Sequence, residues 1–161
     1  MKHIISALVE NKPGVLAHVA GMFAARAFNI DSLVVGRTED PELSRMTIVV
    51  IGDDKVLEQV RKQLAKIVPV VKVQDFAGKP VVARDLMLIN IAATPEKRPE
   101  IFSLIEIFKG EVVDIGPKQL LVEICGPETK IEAFIEACKP YGIKGLARTG
   151  TIAMPRQTKE E

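Results

Sequence analysis

The chain has no tryptophan, and aromatic residues make up only 4% of its 161 positions, so a core must be filled by aliphatic side chains. Hydrophobic residues reach 47%, which is ample for a Val/Ile-packed, β-rich interior. Cysteine is equally scarce. Cys125 and Cys138 have neither a metal-ligand spacing nor the numbers for a disulfide framework, and buried, reduced thiols are the expectation. The two histidines, His3 and His18, lack a third ligand at any readable spacing, so no metal is assigned to them. Net charge is nearly absent too: 22 Lys and Arg face 21 Asp and Glu, which removes a general attraction for nucleic acid or anionic membrane. No apolar run is long enough to cross a bilayer, and Met1-Lys2-His3-Ile4 leads directly into a strand pattern rather than a signal peptide. A cytoplasmic protein is expected. Catalytic signatures are missing as well: there is no G-x-S-x-G, no Walker loop, no H-E-x-x-H and no Cys–His nucleophile context.

What is present is a repeated order of elements. Ile4 to Val9 reads as a strand, and a helix follows with Leu16, Val19, Ala20, Phe23 and Ala27 at helical spacing. Ile30 to Val35 and Ser44 to Ile51 pair across the breakers Asp40-Pro41. Gly52-Asp53-Asp54, with an Asp available as cap, opens a second helix carrying Val56, Leu57, Val60, Leu64 and Ile67, and Val70 to Val73 is a fourth strand. Gly78 and Pro80 interrupt the pattern, so residues 77–83 read as a linker between a first domain, 1–76, and a second, 84–161. Past the linker the order recurs. A strand from Asp85 to Ala92 leads to a helix opened by Thr94-Pro95-Glu96, and Glu111 to Ile115 pairs with Gln119 to Cys125 across Gly116-Pro117-Lys118. A helix through Ile131, Phe134 and Cys138 follows, Ile143 to Ala153 completes the sheet, and Arg156 to Glu161 fray. The expected fold is α+β: two tandem ferredoxin-like βαββαβ domains, each an antiparallel sheet with two helices on one face. Ser44 to Ile51 is apolar on both of its faces, which predicts burial on both or pairing with a second copy, hence a homodimer.

The first strand hands over to the first helix through Glu10-Asn11-Lys12-Pro13-Gly14-Val15-Leu16. Pro13 fixes one backbone angle and Gly14 permits conformations closed to other residues, so the chain can turn sharply and leave the first helical amides without partners. Such a helix start favours anions, and Asn11 places a side-chain amide beside it. Other users of this topology fit less well. RNA-recognition modules stack bases on aromatic residues of the central strands, and Ser44 to Ile51 has none. An acylphosphatase-like site would need an Arg where the loop offers Asn11 and Lys12. A small-molecule sensor, with a polar turn for a zwitterion and an apolar surface for its side chain, is the reading that remains.

Three N-terminal segments, Asn11-Lys12-Pro13-Gly14-Val15-Leu16, Phe28-Asn29-Ile30-Asp31-Ser32-Leu33 and Leu43-Ser44-Arg45-Met46-Thr47-Ile48, resemble the ACT domain of acetohydroxyacid synthase (acetolactate synthase) regulatory subunits. Arg84 to Ile89, Phe108 to Ile115 and Ala147-Arg148-Thr149-Gly150 resemble that family's C-terminal domain. The chain departs from the usual pattern at His18, where a basic residue is common, and at Ala27, where Gly is common. The resemblance implies a non-catalytic small subunit that activates a separate large subunit and confers feedback inhibition by valine or a related branched-chain amino acid. Thiamine diphosphate, Mg and FAD would belong to that large subunit. It further implies that ACT domains pair and hold the effector between them, with Asn11, Gly14, Val15 and Leu16 from one protomer and Asn29 and Ile30 from the other. Backbone amides at Gly14 to Leu16 suit a carboxylate, while the Asn11 or Asn29 carbonyl suits an ammonium. Each residue also has a plain structural reading: Asn29 as a helix C-cap, Leu16 and Ile30 as core. The alternative function is a stand-alone ACT-type amino-acid sensor serving another enzyme or regulator.

Overall fold

A computed structural model describes residues 1–157 and divides into two units. Among the described residues, the first comprises residues 1–82 and 151–157 and the second residues 83–150. In the first unit the order is β1 (Lys2–Glu10), α1 (Val15–Ala25), β2 (Asn29–Arg37), β3 (Leu43–Ile51), α2 (Asp54–Ala65) and β4 (Val70–Asp75). In the second it is β5 (Val81–Ala92), α3 (Arg98–Ile107), β6 (Glu111–Ile115), β7 (Gln119–Gly126), α4 (Glu128–Cys138), a 3-10 turn at Lys139–Tyr141, and β8 (Ile143–Arg148). A last strand, β9 (Ile152–Pro155), follows. Both sheets are antiparallel, with orders β2-β3-β1-β4 and β6-β7-β5-β8, and β9 pairs with β5. The tandem ferredoxin-like architecture expected from the sequence is present.

Strand alternation sets each core. In β1, Ile5, Ala7 and Val9 point inward and meet Met46, Ile48 and Val50 of β3. Helix α2 closes over them with Leu57, Val60 and Leu64 at positions i, i+3 and i+7, and the Asp53 carboxylate caps it by accepting the Val56 N–H at 2.9 Å. Helix α1 buries Val15, Val19, Met22 and Phe23, whereas Leu16 and Ala20, expected on that face, lie exposed. The helix begins directly at Val15, and that phase turns Leu16 away from the sheet. In the second unit Met87, Ile89 and Ile91 pack with Leu120, Val122, Ile124, Ile101 and Phe134.

Three local expectations shift. Helix α3 starts at Arg98 rather than at Thr94, because the Thr94 carbonyl closes a preceding turn by accepting from Lys97 and Arg98 at 3.0 and 3.1 Å. Cys125, on the open face of β7, is exposed; only Cys138 is buried, and burial pushes its thiol up to about 11. The segment Ile143 to Ala153 does not form one strand. Gly150, at φ 88°, breaks it into β8 and β9; both strands pair with β5 in the five-stranded sheet, while residues 151–155 group with the first unit. There the Thr151 N–H donates to Ser32 Oγ at 3.0 Å, and the Arg156 N–H donates to the Pro80 carbonyl at 3.0 Å. Thr151 and Ala153 are buried, as are Thr47 and Val49 on the sheet face opposite the helices. The two-sided burial of β3 is thus met in part within the chain. The expected frayed tail falls partly on residues 158–161, which lie outside the described residues.

The second unit is tied at its ends by a buried ion pair. Asp85, whose side chain is 1% exposed, accepts from Arg148 Nε at 2.9 Å and again from Nη2, while Glu132 accepts from Arg148 Nη1 at 2.7 Å. Thr149 adds a backbone bond to the Leu86 carbonyl at 2.9 Å. Truncating the guanidinium would strand a carboxylate in the interior. Arg148→Met is expected to cost roughly 3–5 kcal/mol of unfolding free energy, with recovery when Asp85→Asn is added. Denaturant titration checks both; a loss of about 1 kcal/mol or less, the scale of an exposed pair, would contradict it.

Candidate functional site

Gly14 adopts φ 85° and ψ −12°, the left-handed conformation, and forms the N-cap of α1 without a side-chain cap. Here glycine is required by the backbone, since a Cβ would be strained although space is open around it. The first regular helical bond runs from the His18 N–H to the Gly14 carbonyl at 3.0 Å, and the Val15 N–H reaches the Lys12 carbonyl only at 3.5 Å. Among the described residues no acceptor meets the amides of Leu16 or Ala17. These donors sit at the positive end of the helix dipole with no acidic residue in the first turn. A carboxylate is the group such a turn can hold.

Asn11 does two things at this turn. Its backbone N–H donates to the Glu42 carbonyl at 2.7 Å and its Nδ2 to the Pro41 carbonyl at 2.9 Å, so it pins the tip of the β2–β3 hairpin. That leaves the side-chain Oδ1 as an acceptor. Lys12 pairs with Glu10 at 3.1 Å, both side chains well exposed. The sequence located the hairpin tip through Asp40-Pro41, but only the pairing of Glu10 with Leu43 shows that the tip lands on Asn11.

Side-chain roles divide the candidates. Leu16 is 45% exposed, so it is available to an apolar ligand group rather than being core. Val15 is buried, and its side chain belongs to the core; only its backbone faces the turn. Ile30 is half-buried and packs against the core edge, while Asn29 is exposed at the start of β2 and does not cap α1. Arg26, Ala27 and Phe28 cap that helix instead. The Phe28 N–H donates to the Phe23 carbonyl at 3.1 Å, the Ala27 N–H to Ala24 at 3.2 Å, and the two rings meet edge to face at 6.2 Å.

One chain does not bring the two groups together. Glu10 pairs with Leu43 at one end of β3, and Asn29 pairs with Ile51 at the other. Eight residues of strand separate those ends, about 27 Å at strand rise. Asn11 to Leu16 and Asn29–Ile30 therefore lie at opposite ends of the same sheet.

Among the described residues there is no group of three or more His, Cys, Asp or Glu able to hold a metal ion, and no helix is long and apolar enough to cross a membrane.

A βαββαβ sheet whose first strand ends in an anion-ready, glycine-capped helix start defines the class of ACT-type regulatory domains. Residues 5–72 match the family described as AHAS small subunit-like ACT domain, and residues 84–157 match that described as small subunit of acetolactate synthase. The chain is 54% identical over 160 residues to a probable acetolactate synthase small subunit of Archaeoglobus fulgidus, covering 99% of this chain and 100% of that protein. It is 44% identical to the acetolactate synthase small subunit of Bacillus subtilis, covering 100% and 94%. The crystal structure of the small subunit from Thermotoga maritima superposes with a TM-score of 0.91 at 44% identity, covering 98% of this chain and 99% of that one. The chain belongs to the family of acetolactate synthase small subunits.

Ala27 takes φ 52°, in the left-handed region where glycine is at ease. Lys109 repeats the arrangement at the end of α3, with φ 54°. Because Ala27 precedes Asn29 by two residues, its strain bears on how that side chain is presented. Ala27→Gly is expected to raise unfolding free energy by about 0.5–1 kcal/mol. An unchanged or lowered denaturation midpoint would show that Ala27 carries no strain.

Proposed function

We propose that this protein is the regulatory small subunit of an acetolactate synthase: it activates a catalytic large subunit and transmits feedback inhibition by valine or a related branched-chain amino acid. The observation that carries the reading is the free, glycine-capped start of α1 combined with the placement of Asn29–Ile30 at the far end of the sheet. In two paired chains, the turn of one copy meets the β2 start of the other. The amides after Gly14 hold the effector carboxylate, the carbonyl of Asn11 or Asn29 accepts from its ammonium, and Leu16 with Ile30 contacts its branched side chain. One methylene in such a pocket is worth about 1–3 kcal/mol, so preference among valine, leucine and isoleucine is modest. Thiamine diphosphate, Mg and FAD are assigned to the large subunit, where the chemistry occurs.

Regulation requires that effector bind the two states of the complex with different affinity. In this reading, the effector-free pair favours the active arrangement of the large subunit, and effector at the paired domains disfavours it.

The test is a reconstituted assay. The protein alone forms no acetolactate from pyruvate, captures its large subunit in a pull-down and raises that subunit's rate. Gly14→Asp places a negative charge where the carboxylate docks, so it abolishes valine inhibition while stimulation persists. Unchanged inhibition would remove Gly14 from the site, and failure to capture or stimulate the large subunit would return the stand-alone sensor reading.

A further inference from the structure

The return of residues 151–155 to the first unit creates a cavity of about 210 Å³ on the sheet face opposite the helices. Its sheet side is formed by Val34, Gly36 and Thr47, and its other side by Ile152 and Met154. Two arginines, the exposed Arg37 and the half-buried Arg45, are among its lining residues, and no Asp or Glu is. Arg45 is half-buried and gives Nη1 to Ser6 Oγ at 2.9 Å; its remaining donors have no acceptor among the described residues. Arg37 likewise has no ion-pair partner among them. The Thr47 residue is 3% exposed, and its hydroxyl makes no hydrogen bond among the described residues.

We propose that this cavity binds a small aliphatic monocarboxylate that lacks an ammonium group, such as a short 2-oxo acid. Two guanidiniums without acidic partners are matched by an anion, and the planar fork of Arg favours a carboxylate. An amino acid fits poorly because its ammonium would face Arg37 and Arg45 with no acid to offset the repulsion. A 2-oxo oxygen instead accepts from the Thr47 hydroxyl. Val34, Ile152 and Met154 supply the apolar wall that inorganic anions would not use. Gly36 supports the same conclusion. It has no positive φ that would demand glycine, and a Cβ there meets nothing within 4 Å, so the missing side chain leaves room at the cavity floor. The site differs from the α1 turn in position and in ligand charge, and it does not depend on valine binding.

Isothermal titration calorimetry on the full chain tests this with 3-methyl-2-oxobutanoate, which carries valine's side chain and an oxo group in place of its ammonium. Saturable binding is expected, unaffected by prior saturation with valine. Gly36→Val fills the floor, and Arg37→Gln removes an exposed donor; each is expected to weaken the oxo acid roughly tenfold, while circular dichroism and the response to valine stay unchanged. Arg45→Gln is expected to weaken it at least as much. Four results would overturn the proposal: no saturation below about 10 mM, equal affinity for inorganic phosphate, displacement by valine, or unaltered affinity in both Gly36→Val and Arg37→Gln.

Discussion

The crossover between β1 and β2 constrains everything that follows in the first unit. Both strands run antiparallel to β3, so they are parallel to each other, and α1 must carry the chain from the end of β1 back to the level where β1 began. The start of α1 and the start of β2 are consequently fixed at opposite ends of the sheet. A turn able to hold a carboxylate and a strand start bearing Asn29 cannot meet inside one copy, whatever their side chains do. An effector site built from both is a property of a pair of chains, and its occupancy is linked to how those chains are arranged.

This matters because the reason first available for pairing is weaker in the structure. Apolar residues on both faces of Ser44 to Ile51 suggested a missing second copy. Part of that demand is satisfied by Thr151 to Pro155, which returns to the first unit and buries Ala153 against it. The same return frames the cavity between Gly36 and Met154. Covering an open sheet face with the chain's own strand leaves Thr47 buried and Arg45 half-buried, and a partly desolvated cation favours anionic company.

Much of the fold was legible because its signals are local. Pro13-Gly14 marks the turn, Asp53 caps α2, Gly116-Pro117 separates β6 from β7, and alternation in β1 and β3 identifies the core face. What escaped was set at long range. Nothing within Thr151 to Pro155 reveals that the Thr151 N–H donates to Ser32, 119 residues earlier. The phase of α1 also escaped, because small residues such as Ala20 fit either face and only docking decides that Leu16 is exposed. That outcome favours the site, since an apolar side chain left out of the core beside free amides is available to a ligand. Val15 shows the converse: its side chain packs inward, so only its backbone faces the turn.

The central claim is that each effector site takes the α1 turn from one chain and the β2 start from another. Complementation tests it directly. Chains carrying Gly14→Asp or Asn29→Ala, each purified with its own tag, are mixed, and the doubly tagged pair is titrated with valine by calorimetry. In the mixed pair one site joins a wild-type turn to a wild-type β2 start and the other joins both mutant halves. The account predicts that neither variant alone binds valine appreciably and that the mixed pair binds one valine. A mixed pair that binds none, after both parents have been shown not to bind, would contradict it.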